Sequence, residues 1–288
     1  MRGKLFKQLF QISQPILLLA GIGQFFLGAG IAKYLGNTMD WGIFWLGLAW
    51  VLSVQWVSHL LLDYFESPKT ENKNKLTDES KRIFIGTALS FVAIFLVFLI
   101  RSGNLNVPAG IVIFILFFLG FFFVLRPIRL IYSGFGELSI AIAFGNLIPS
   151  FSYLLQDGEM NRLVMIISFP LIFLILSLIL AMEFPNYASD IKNSRNTILV
   201  RLGWENGMFM HNTFVLIAFL ILGLAGVFGL PSAIIFPAFL PFPLALLQLW
   251  HMRQINLGEK PNWRFLRLNA VVMVVLMSYI LTYIFWIR

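Results

Sequence analysis

The chain has 288 residues, 59% hydrophobic and 12% charged, with a formal net charge of +8 and a mean hydropathy of +0.86. Soluble globular domains run nearer roughly 45–50% apolar and 25% charged, so this composition excludes a soluble domain and marks a polytopic membrane protein. Cysteine is absent, which excludes disulfides, iron–sulfur clusters and thiolate metal sites.

A basic start, Met1-Arg2-Gly3-Lys4, leads into an apolar run too long for a signal-peptide core and without an obvious small-residue cleavage site; it reads as a retained first helix. Nine segments meet or approach the roughly 20 apolar residues needed to cross a bilayer: 13–34, 40–62, 83–100, 107–125, 138–156, 163–182, 208–229, 234–250 and 265–286. The pattern predicts an all-α bundle of about nine transmembrane helices, forming one membrane-embedded domain over 1–288. Of the 21 lysines and arginines, only Lys33, Arg101, Arg162 and Arg288 fall on one side of this plan. The positive-inside rule then puts the N-terminus in the cytoplasm and the C-terminus outside, in a cytoplasmic membrane. That topology accounts for the net charge without a nucleic-acid partner. Pro231, Pro237, Pro241 and Pro243 crowd the eighth span, and either a bent helix lining a pocket or a kinked packing helix would accommodate them.

Two polar islands interrupt the apolar text. Asp63 and Glu66 close the second span, with Gln55 and His59 preceding Asp63 at steps of four, so a helix stacks these groups along one stripe. The second island, after the sixth span, carries Glu183, Asn186, Tyr187, Asp190, Lys192, Arg195 and Arg201. Carboxylate and amide oxygens suit magnesium, which is held by one or two carboxylates plus substrate phosphates, and nearby cations would clamp phosphate oxygens. On spacing alone, solvated helix caps and i,i+3 pairs explain both islands at least as well. His59 and His211 read as interhelical hydrogen bonders rather than bases. Carboxylates clustered at helix ends argue against a transporter, whose broken helices lie near the midplane.

The stretch Arg126-Pro127-Ile128-Arg129-Leu130-Ile131-Tyr132-Ser133-Gly134-Phe135-Gly136-Glu137 between the fourth and fifth spans predicts a compact loop. Together with Ala143-Phe144-Gly145, Phe184-Pro185-Asn186-Tyr187 before Asp190, and Thr197-Ile198-Leu199-Val200-Arg201-Leu202-Gly203, it resembles the UbiA superfamily of intramembrane aromatic prenyltransferases. Within that superfamily it most resembles the menaquinone type, the 1,4-dihydroxy-2-naphthoate polyprenyltransferases.

The resemblance implies two acidic motifs that bind Mg2+ and a polyprenyl diphosphate, ionisation of the allylic bond, and attack by an aromatic acceptor. It implies Asp63, Glu66, Asn186 and Asp190 as metal ligands, with Asp63, Glu66 and Asp190 as the catalytic carboxylates. Lys69, Arg126, Arg129, Tyr132, Tyr187, Lys192, Arg195, Arg201, Gln55 and His59 fall to diphosphate and substrate binding. Arg126 and Arg129 read equally well as interfacial anchors. Leu62, Thr70 and Ser194 stand where the family carries ligands or their supporting residues. This depletion keeps a second reading open, a lipid-binding or scaffold protein on the same fold.

Overall fold

In the computed structural model the described residues are 12–66, 77–193 and 195–288, Glu66 in its backbone alone, and all regular structure among them is helical. The long helices are α1 (Pro15–Tyr34), α2 (Trp41–Glu66) and α3 (Asp78–Arg101), followed by the shorter α4 (Val107–Phe122). After a one-turn helix α5 (Leu130–Ser133) come α6 (Gly136–Asp157) and α7 (Arg162–Glu183). Two short helices follow, α8 (Tyr187–Lys192) and α9 (Ile198–Leu202), then α10 (Trp204–Ala225), the broken pair α11 (Ser232–Ala238) and α12 (Phe242–Asn256), and α13 (Trp263–Ile287).

Helix starts follow local chemistry. The Thr77 hydroxyl accepts from Ser80 N (3.2 Å) with Asp78 and Glu79 in the first turn of α3, satisfying one orphan donor and placing negative charge at the positive end of the dipole. Asn106, Asn161 and Asn262 cap α4, α7 and α13 in the same way.

Eight segments are long and apolar enough to cross a membrane, α11 and α12 counting as one, and α4 is a ninth apolar helix of 16 residues. The expected nine-segment plan therefore stands, with its fourth member shorter than a full span. Pro237 and Pro241 break the eighth, and the rings of Phe219, Phe239 and Phe242 pack around the break. This is the packing kink, since neither α11 nor α12 lines the chamber described below.

Two apolar cores meet along α1 and α6. Phe25, Phe44, Trp50 and Phe151 centre one, formed with α2, α3 and α4; Leu27, Leu171, Val215 and Phe285 belong to the other, formed with α7 and α10 to α13. Helix α6 is 67% buried over its apolar window and α3 only 17%, so α6 is a central strut and α3 a peripheral helix. Exposed apolar side chains such as Phe98, Phe114, Leu220 and Val275 form the surface a bilayer would cover.

Candidate active site

A cavity of about 280 Å³ opens inside the first core. Its walls are largely apolar, from Trp50, Val54 and Leu62 on α2, Leu116 and Phe123 on and just after α4, and Phe144 and Ile148 on α6. The polar exceptions include Gln55 and His59, which α2 places one turn apart on the same wall as the stacked stripe requires. Both are buried, at 9% exposure each. The Gln55 carboxamide packs against Gly21 of α1, where any Cβ would overlap it, and neither its nitrogen nor its oxygen has a hydrogen-bond partner among the described residues. His59 also makes no hydrogen bond among them. His211, by contrast, is fully buried in an interhelical network with Asn212 and Gln248.

At the next turn of α2, Leu62 rather than Asp63 lines the chamber. Asp63 turns toward α3, where its Oδ2 lies 2.6 Å from Lys81 Nζ, and the same ammonium donates to the Asp63 carbonyl at 3.3 Å. Lys81 was not singled out by spacing, because a pairing across two helices leaves no periodic trace in either. Lys69 and the Glu66 side chain lie outside the described residues, as do Thr70 and Ser194.

The second island is not one continuous helix. Pro185 sits in a 3₁₀ turn, Phe184–Asn186, so Asn186 becomes the exposed residue preceding α8 while Asp190 is buried. The Asp190 carbonyl accepts from Arg195 N at 2.9 Å, which turns the chain back toward the first core. Arg195 thereby becomes the second island's contribution to the chamber lining. Two carboxylates brace this turn: Glu137 Oε1 accepts from Ile198 N and Glu183 Oε2 from Leu199 N, each at 3.3 Å, with the Thr197 hydroxyl capping α9.

The intervening loop is held rather than free. Arg201 donates to the Ser133 carbonyl at 2.6 Å and lies 5.5 Å from the Phe135 ring. Arg129, whose φ is 45°, stacks over Tyr132 at 4.5 Å, and Tyr187 packs on Trp204. Arg126 and Lys192 are exposed. Among the expected binding residues the chamber thus gathers Gln55, His59 and Arg195, while Arg126, Arg129, Tyr132, Asn186, Tyr187, Lys192 and Arg201 stand outside its lining.

A model of the UbiA prenyltransferase family matches residues 73–271. The chain belongs to the UbiA prenyltransferase family. The matched range contains Asn186 and Asp190 and begins beyond Asp63. The UbiA fold extends further: a structure described as digeranylgeranylglyceryl phosphate synthase aligns over 99% of this chain and 98% of its own, with a TM-score of 0.67 and 15% identity. A UbiA homologue from Archaeoglobus fulgidus bound to Cd2+ aligns over 95% of this chain and 99% of its own, at a TM-score of 0.63 and 12% identity. The same A. fulgidus homologue bound to GPP and Mg2+ aligns over the same shares, at a TM-score of 0.59 and 12% identity. No curated protein matches the sequence.

For a UbiA protein the donors on hand have the right chemistry. Asp63 and Asp190 offer carboxylate oxygens on the two islands, the hard ligands magnesium prefers. No group of three or more acidic, histidine or cysteine side chains gathers among the described residues. The described residues therefore hold no closed protein cage for a metal, and an ion taking Asp63 or Asp190 would leave most of its positions to water and phosphate.

Proposed function

We propose that this protein moves a polyprenyl group from its diphosphate to an aromatic acceptor, 1,4-dihydroxy-2-naphthoate in the menaquinone manner, with residues 1–288 working as one membrane domain. The observation that carries this reading is the chamber: an apolar cavity that takes Gln55 and His59 from one island's helix and Arg195 from the other island. Magnesium, when bound, supplies positive charge against the leaving diphosphate. Asp63 and Asp190 would hold it, with Asn186 and Glu66 completing the set, and Arg195 faces the phosphate oxygens. The apolar walls exclude water from the allylic carbon as its bond to oxygen breaks. Gln55 and His59 orient the acceptor's hydroxyl groups, one of the few tasks an unpaired buried amide can perform at no further desolvation cost. The attacked ring carbon then loses its proton, or its carboxylate as CO2, to restore aromaticity. Both islands face the cytoplasm of the cell membrane in this reading, as the basic residues require.

A specific observation favours a second reading: the Asp63–Lys81 ion pair occupies a carboxylate that catalysis needs, as a lipid-binding relative without activity would permit. Mass-spectrometric detection of prenylated product separates the two. Purified protein given an allylic diphosphate, Mg2+ and a panel of naphthoate and phenol acceptors should yield prenylated naphthoquinol. Lipid binding with no product from any acceptor establishes the second reading instead.

A further inference from the structure

Lys81 is a lysine buried where burial needs a reason. Its side chain is 8% exposed and stands in the first turn of α3, against the last turns of α2. A buried ammonium requires a counter-charge, and Asp63 supplies it through Oδ2 and, more weakly, through its carbonyl. An ammonium has three donors; Lys81 donates one to the Asp63 carbonyl and stands against Oδ2 as an ion pair, with no other partner among the described residues. The pair engages the residue at the head of the candidate metal set, one turn beyond His59 of the chamber wall.

We propose that Lys81 is a resident cation of the diphosphate site, holding Asp63 while the site is empty and transferring to phosphate oxygens when a diphosphate enters. This inference rests on the prenyl-diphosphate reading above. The electrostatics run in one direction. Asp63 and Lys81 are neutral together, so a divalent cation arriving alone meets an ammonium beside its ligand and is repelled. A diphosphate brings several negative charges, which attract both the ammonium and the metal and leave Asp63 free for coordination. A lysine suits this exchange because its charge sits on a flexible four-carbon stem, whereas a fixed arginine fork would stay with the carboxylate. Lys81 is then a substrate-contacting residue that makes metal binding conditional on the donor.

The test is the affinity of the full-length purified protein for Mn2+, read by electron paramagnetic resonance, with and without a thiolo analogue of an allylic diphosphate that cannot ionise. The wild type should bind Mn2+ weakly alone and at least tenfold more tightly with the analogue. Lys81→Met should bind Mn2+ alone at least tenfold more tightly than wild type and hold the analogue less well, shrinking the dependence of one on the other. Lys81→Gln, which keeps hydrogen bonding to Asp63 and removes the charge, should behave likewise if the Met variant folds poorly. Donor-promoted Mn2+ binding that is identical in wild type and both variants overturns this inference and leaves the prenyl-diphosphate reading standing. Absence of Mn2+ binding with the analogue in every protein overturns both.

Discussion

Gln55 buries a carboxamide with neither atom bonded to the described protein, an arrangement that costs on the order of 1–3 kcal/mol. The packing of α1 protects that cost rather than relieving it, since Gly21 leaves the space the amide fills. Gln55→Leu should therefore raise thermal stability by about 1 kcal/mol while raising the acceptor KM roughly tenfold, with kcat nearly unchanged. A thermal melt and steady-state kinetics check both halves. Loss of stability with unchanged KM would make Gln55 a packing residue. The pair at Asp63 is a different case, a charge compensated by an ion pair with 28% exposure on the carboxylate and 8% on the lysine. Breaking it from the Lys81 side leaves a carboxylate that water can still reach, so the expected stability cost stays below the about 3–5 kcal/mol of a fully buried pair.

The elements carrying the site are short and depend on one another. Gly134 has φ of 72°, and a Cβ there would overlap the Arg201 side chain that bonds the Ser133 carbonyl. Gly134→Ala should cost about 1–3 kcal/mol, lower the melting temperature, and accelerate hydrogen exchange in Leu130–Ser133. Unchanged exchange there would mean that Arg201 does not hold the loop. The same contact assigns Arg201 a role that its place in the sequence motif concealed: basic residues next to a diphosphate motif look alike in sequence, and only their partners separate Arg201, spent on the loop, from Arg195, which lines the chamber. The long apolar helices were legible because hydrophobic length is a local property, whereas the start of α3 at Asp78 lies five residues before the expected span, where Thr77 caps it. The register of Asn186 and Asp190 was not, because Pro185 inserts a 3₁₀ turn that separates their environments. Lys81 escaped because its partner lies on another helix, 18 residues away.

At the scale of the whole molecule, two apolar cores share α1 and α6, and the chamber lies inside one of them while Asp190 belongs to a segment built on the other. Arg195 bridges the two parts, because the turn braced by Glu137 and Glu183 sends it back over α2. In the proposed function, one carboxylate from each half, Asp63 and Asp190, serves a single diphosphate. Neither carboxylate belongs to either apolar core, so both cores are expected to form with either one neutralised. The most direct test of the account is Mg2+-dependent release of pyrophosphate from an allylic diphosphate and acceptor by the purified wild type, Asp63→Asn and Asp190→Asn. Turnover in the wild type and its loss, by at least about 100-fold, in both folded variants is the predicted result; full turnover in either variant would contradict a diphosphate site shared between the two halves.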